Sequence, residues 1–258
     1  MYLRNLRLVA ACLAAAALPA LVHGQDNTGY TSVGLFKVKP EGTAAFVENM
    51  KKVLAPVGAK LMSEGTVTGY GVDLDMFHSP GSTNAAIWVE VPSFAAWGKA
   101  EEAIGAALKA SPGVSAAIFG ATDPSKHADF MMRHLFASTK PVPAGVLPYT
   151  NFYAVKVKPG KMNEFSQLFE KYQKPVYDKM VADGVILGYS VDAEIIHTDA
   201  GDMVWIVTLM KDLGAKDKML AITSALPDRR AMQVNLAGIT VEGTHRDSIT
   251  QAVMFVTK

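Results

Sequence analysis

Residues Tyr30–His78 read YTSVGLFKVKPEGTAAFVENMKKVLAPVGAKLMSEGTVTGYGVDLDMFH, and residues Tyr149–His197 read YTNFYAVKVKPGKMNEFSQLFEKYQKPVYDKMVADGVILGYSVDAEIIH. Laid over each other at a constant offset of 119, without a gap, the two stretches share 17 identities over 49 positions. The identities cluster. Tyr30-Thr31 meets Tyr149-Thr150, Lys37-Val38-Lys39-Pro40 meets Lys156-Val157-Lys158-Pro159, and Gly69, Tyr70, Val72, Asp73 and His78 meet Gly188, Tyr189, Val191, Asp192 and His197. A duplicated unit of this size implies two structural copies, each able to bury its open face against the other.

Each copy reads strand, helix, strand, strand, helix, strand. In the first, Ser32–Lys39 has strand composition and ends at Pro40. Phe46, Val47, Met50, Val53, Leu54, Val57 and Leu61 then recur at helical spacing, with a kink or break expected at Pro56. Thr66–Met76 alternates, with Tyr70 and Val72 in one phase and Gly71 and Asp73 in the other. A second strand over Ala85–Val91, a helix opened by Pro92, an irregular stretch Ser111–Ser125 and a last strand near Phe130–Ala137 complete the copy. The second copy repeats the order, with Trp205 set against Trp88 by dropping two residues from the hairpin turn and an irregular connection over Pro227–Asp247. The expected organisation is a leader (1–24), repeat 1 (25–138), a linker (139–148) rich in Pro and Gly, and repeat 2 (149–258).

The order βαββαβ is the ferredoxin-like motif, a four-stranded antiparallel sheet with both helices on one face. Two such units in one chain resemble the dimeric α/β-barrel superfamily, here as a single-chain tandem repeat. The resemblance implies an α+β fold whose two antiparallel sheets pack into an α/β barrel. It spans cofactor-independent monooxygenases, stress-induced barrel proteins, haem-degrading enzymes, and haem enzymes of the chlorite dismutase and dye-decolorising peroxidase type, without choosing among them.

Residues 1–24 carry Arg4 and Arg7, the apolar run Leu8–Leu21, and Val22-His23-Gly24 before Gln25, which is the pattern of a cleaved secretory signal. Export, to a periplasm or beyond, is therefore expected. Cys12, the one cysteine, lies inside that run, so an exported chain would carry no disulfide and no thiol chemistry. Lys and Arg number 25 against 24 Asp and Glu, and removing Arg4 and Arg7 leaves the signs within one of each other. That balance provides no basic footprint for nucleic acid and no polybasic anchor, and no membrane span is expected.

Chemistry-bearing candidates come first from the repeat. His78 and His197 each end the second strand of their copy; Tyr70 and Tyr189, and Asp73 and Asp192, lie on that same strand. Each pair also has a structural reading: a hairpin cap for the histidines, an amphipathic packing ring for the tyrosines, a solvated face for the aspartates. Arg133 and His134 stand where copy two has Ala252 and Val253 at the same offset, and asymmetry within a duplicated fold is where a site specialises. His127 and His245 fall in the stretches before the last strands. No His-x-x-x-His or Cys-x-x-Cys spacing is present, so no metal is expected. No cofactor is expected either, with haem through His78 or His197 as the alternative.

Three functions stay open. The chain is a module that binds a small, largely apolar molecule between sheet and helices, or a monooxygenase-like enzyme of the same superfamily, or a filled structural barrel. The first two require a cavity. An enzyme further requires titratable groups converging on one point of it. Assembly into a homo-oligomer is open in all three.

Overall fold

The computed structural model describes residues 29–77, 82–143, 145–197 and 203–258. Eight strands form one closed barrel. They are β1 (Tyr30–Val38), β2 (Gly69–Asp75), β3 (Ala85–Val91), β4 (Thr122–Thr139), β5 (Tyr149–Lys156), β6 (Gly188–His197), β7 (Met203–Met210) and β8 (Arg246–Thr257). Around the barrel the order is β1-β3-β2-β8-β5-β7-β6-β4, and every pairing is antiparallel.

Residues 30–139 supply four neighbouring strands and residues 149–257 the other four. The halves are joined by hydrogen bonds along two seams, β2–β8 and β4–β6. The bare faces thus curl into the inner wall of a barrel, edge strand paired to edge strand. Closure of this kind leaves no unpaired edge.

The helices cover the outside. Helix α1 (Thr43–Ser63) presents Phe46, Met50, Val53, Leu54 and Leu61 inward. With α2 (Phe94–Ala110) and α3 (Pro112–Ala121) it packs on Tyr70, Val72, Val89 and Val91 of the sheet. The second half repeats this with α4 (Met162–Leu168), a π-helical turn (Phe169–Gln173), α5 (Lys174–Ala182), α6 (Gly214–Ser224) and α7 (Arg229–Ile239) over Tyr189, Val191, Val204 and Ile206.

Several expectations need correction. The stretches read as irregular contain α3 and α7. Ser111-Pro112-Gly113 looks like a turn, but Pro112 sits in the first turn of α3, where its missing N–H costs nothing. The last strand of the first half is longer than Phe130–Ala137. Pro56 does not break α1, which runs unbroken through it. Its repeat mate Pro175 instead opens α5 directly after the π-helical turn. The difference accompanies a change of size at the next-but-one position. Gly58 lets the Tyr70 ring press against the helix, where a Cβ would fall 2.4 Å from Tyr70 Cζ. Position 177 carries a tyrosine instead, and its ring lies 5.1 Å from that of Tyr189.

Register also realigns the hairpins. Gly71 faces Trp88, and Ser190 faces Val207, so the offset of 119 continues through β3 and β7 with no deletion. Trp205 therefore corresponds to Ala86, not to Trp88. The two indoles point into the barrel one rung apart.

Candidate functional site

Between sheet and helices the described residues pack into two apolar clusters, and the large cavity lies elsewhere. The cavity is inside the barrel and measures about 1080 Å³. That is at the upper end of the range for small-molecule sites, about 300–1,000 Å³. Its walls include Val33, Leu35, Met132, Val207 and Leu209. Aromatic rings brace it: Phe130 stacks on Trp205 at 5.7 Å between centroids, Phe152 meets Trp205 edge-on at 6.2 Å, and Trp88 tilts against Phe255 at 5.4 Å.

Polar groups enter this wall at the two seams, which lie on opposite sides of the barrel. At the β4–β6 seam His134 is registered against Asp192. His134 Nδ1 lies 2.6 Å from Asp192 Oδ1, and the two side chains are 13% and 2% exposed. The carboxylate's other oxygen accepts from the Ser190 hydroxyl at 2.6 Å. An ionised Asp192 fixes the neutral imidazole with its proton on Nδ1, leaving Nε2 as an acceptor near Thr31 Oγ1 at 3.3 Å. Gly29 permits the fit, because a Cβ there would fall 2.8 Å from His134 Cδ2.

Burial is the largest influence on His134 and pulls its pKa down, but the hydrogen bond and charge of Asp192, with the charge of Glu90, outweigh it and raise the value. Glu90 lines the same cavity, and burial holds its carboxyl above the usual range, partly countered by His134.

The β2–β8 seam is the pseudo-symmetric counterpart with different residues. Asp73 is registered against Ala252, and Gly71 stands where the other seam has Ser190. Asp73 therefore has neither an imidazole nor a hydroxyl beside it. Its Oδ2 accepts from Trp88 Nε1 at 2.9 Å, and Oδ1 has no partner. Burial is the main cause that pushes its pKa up to about 7; the Trp88 hydrogen bond opposes this and the charge of Asp75 adds to it.

Among the other candidates, Tyr189 also borders the cavity. Tyr70 and Tyr189 face the helices: Tyr70 Oη donates to Ala55 O at 3.3 Å, and Tyr189 Oη to Asp178 Oδ1 at 2.7 Å. Arg133 is exposed on β4. His78 lies outside the described residues, and His197 ends β6 with a side chain outside what is described. His127 lies within β4 and His245 just before β8, and they pair with Asp129 and Asp247 at 3.1 Å each. Thr31, Glu90 and Ser190 went unread in the sequence. Glu90 had a visible signal, a lone charge in the inward phase of the apolar strand AAIWVEV.

Among the described residues no group of three or more His, Cys, Asp and Glu side chains is arranged to hold a metal ion. Haem, known in part of the resembled superfamily, would need an axial donor facing the cavity. The histidine lining it, His134, turns one nitrogen to Asp192 and the other to Thr31. Ligation of a haem would require Nε2 to leave Thr31, as would direct proton transfer to that atom. No single helix among the described residues is long and apolar enough to cross a membrane.

No protein-family model matches the chain, and no curated protein matches it in sequence. Solved structures do match in fold. A proposed monooxygenase of Fusobacterium nucleatum superposes with a TM-score of 0.66 at 11% identity, over 90% of this chain and 96% of that one. A proposed monooxygenase of Lactobacillus acidophilus gives 0.62 at 12% identity, over 89% and 96%. An anthrone oxidase-like protein gives 0.58 at 15% identity, over 90% and 94%. The fold is that of the dimeric α/β barrels, with both halves in one polypeptide.

Proposed function

We propose that this protein is a monooxygenase-like enzyme that takes a proton from a compact aromatic molecule held inside the barrel, with His134 as the base. One observation carries the reading: the His134–Asp192 pair, at 2.6 Å, stands in the wall of a cavity where aromatic and aliphatic side chains alternate with polar ones, Glu90 and Asp73 among them. A mere binding module needs only scattered polar contacts. Here Thr31, His134, Ser190 and Asp192 gather at one seam, with the charge of Glu90 acting on them from β3. A filled structural barrel would leave no such cavity.

In the reaction, His134 Nε2 accepts a proton from an acidified methylene, and Asp192 stabilises the imidazolium that results. The electron pair left on carbon reduces dioxygen and forms a carbon–oxygen bond. Return of the proton gives a hydroperoxide, and loss of water from it leaves a carbonyl. Methylene and dioxygen become carbonyl and water, with the substrate as the only reductant. The aromatic walls would stabilise the planar carbanion by stacking and exclude water from it.

The test uses purified protein with anthrone, a methylene flanked by two rings, and dihydroxynaphthalenes as a phenolic panel. Oxygen uptake matched one-to-one by anthraquinone, and reduced at least about 100-fold by His134→Ala, supports the reading. Rates no higher than the uncatalysed ones across the panel overturn it.

Export belongs to the same proposal and is supported by the basic start and apolar run of residues 1–24. Fractionation of the producing cell tests it, and full-length protein confined to the cytoplasm would end it.

A further inference from the structure

Thr31 is bracketed by two titratable side chains. It is registered against Glu90 on β3, and its Oγ1 lies 3.3 Å from His134 Nε2 on β4, the strand on its other side. Its mate in the second half, Thr150, is registered against Leu209 on β7. Ala252 stands where the first half has His134: His134 N donates to Gly29 O at 3.1 Å, and Ala252 N donates to Pro148 O at 3.0 Å. One half thus carries Glu90, Thr31 and His134 side by side, and the other carries Leu209, Thr150 and Ala252. The carboxyl and the imidazole occur together, and both give way to aliphatic side chains in the other half.

Glu90 lines the cavity and is not fully buried, so its side chain can meet a molecule there. Among the described residues its carboxyl makes no hydrogen bond. Oε2 lies over Gly69 of β2, where a Cβ would fall 2.7 Å from it. The carboxyl therefore leans away from β1, and the acid and the base stand apart, with the small Thr31 side chain on the wall between them. Burial makes Glu90 hold its proton beyond the ordinary carboxyl range.

We propose that Glu90 is the general acid that splits the oxygen–oxygen bond of the hydroperoxide formed in the barrel, acting with His134 in one elimination. This rests on the reading of His134 as the base and supplies the residue for its last step. His134 Nε2, released by Thr31, takes the hydrogen left on the carbon that bears the peroxide. The electron pair of that C–H bond forms the carbonyl π bond, and the O–O bond breaks. The outer oxygen takes the proton of Glu90 and leaves as water. Carbon is oxidised and the peroxide oxygens are reduced, so no further reductant is needed. The imidazolium then returns a proton to the Glu90 carboxylate, which resets the couple. Without the acid the departing group would be hydroxide, a bare anion released into an enclosed cavity, which is costly.

The probe is 9-hydroperoxyfluorene, a planar secondary hydroperoxide, given to the full protein in the absence of oxygen. Its conversion to fluorenone and water is followed by the absorbance of the ketone. Wild type is expected to exceed buffer. Glu90→Gln, nearly the same in shape but without an acidic proton, is expected to fall at least about 100-fold below wild type. Glu90→Asp, which keeps an acid on a shorter stem, recovers part of that loss. In anthrone oxidation Glu90→Gln releases hydroperoxide for part of the oxygen consumed, where wild type releases ketone alone. Wild type no faster than buffer overturns the proposal whether or not any variant folds, and so does Glu90→Gln with the rate of wild type. Absence of oxygen uptake beside intact elimination removes the oxygenase reading and leaves Glu90 its role. Intact oxygen uptake beside elimination at the buffer rate removes that role alone.

Discussion

His134 and Ala252 occupy the same register position in the two halves, one opposite Asp192 and the other opposite Asp73. A single side chain thus separates a carboxylate paired with a base from a carboxyl left without one. Duplication supplied two equivalent seams, and the difference between them gives the cavity a basic side and an acidic side.

The basic side has a pH signature. His134 accepts a proton only when neutral, so turnover of anthrone is expected to fall as pH drops through its pKa. That value is raised: burial pulls it down, but Asp192 and Glu90 together push it further up. The rise of log kcat/KM with pH should therefore bend above the ordinary histidine value of 6.5. Asp192→Asn removes the charge that lifts it, and is expected to shift the bend to lower pH and reduce the plateau. A profile identical in wild type and Asp192→Asn would detach the pair from the chemistry.

The acidic side predicts a stability effect of opposite sense. The carboxyl of Asp73 has its pKa pushed to about 7 from the ordinary 3.8, chiefly by burial, so the folded state holds a proton that the unfolded state releases. Stability contributed at this position is present below 3.8, is lost as pH rises toward 7, and stays lost above. Asp73→Asn imitates the protonated form at every pH. It is expected to exceed wild type by about 2–4 kcal/mol at pH 8, with most of that advantage gone at pH 4.5. Urea denaturation at the two pH values measures this, and an advantage equal at both would contradict the buried-acid account.

Much of this was legible in the chain. The constant offset exposed the duplication, and element order implied the barrel. Which phase of β2 faces inward was not legible, because Tyr70/Val72 and Gly71/Asp73 alternate equally well. Only closure makes the Asp73 side concave and the Tyr70 side the helix-covered face. His134 was visible as an asymmetry, yet the offset of 119 set it against Val253. Register sets it against Ala252, because β4 and β8 match at an offset one residue shorter. Asp192 as its partner lies 58 residues away on another half's strand, a long-range pairing that no local pattern encodes. Helices α3 and α7 were hidden by Pro112-Gly113 and Pro227-Asp228, which read as turn residues.

Gly58 offers a test of the packing between helix and sheet. A methyl group there would meet the Tyr70 ring at 2.4 Å, inside a cluster with little slack. Gly58→Ala is expected to destabilise the protein by about 1–3 kcal/mol despite alanine's better helix propensity. The double variant with Tyr70→Leu should recover part of that loss. Chemical denaturation of the four proteins forms a cycle, and strictly additive effects would show that the two residues do not press on each other.

The last prediction separates the cavity from the scaffold. Ala86 lines the cavity at the position where the second half carries Trp205. A tryptophan at 86 would enter the interior from the opposite wall, on the rung that already accepts one in the other half. Ala86 packs beside Val33 and Met132, so the ring has to turn away from them into the cavity; melting is then expected to shift by no more than about 4 °C, the equivalent of about 1 kcal/mol. Ligand capacity should not survive it. Indole bulk would occupy cavity space that a planar molecule beside the His134 seam needs, and that molecule would be shut out. Ala86→Trp is therefore expected to fold like wild type and lose anthrone oxidation. Unchanged anthrone oxidation by a folded Ala86→Trp protein would place the substrate outside the barrel and end the role assigned to His134.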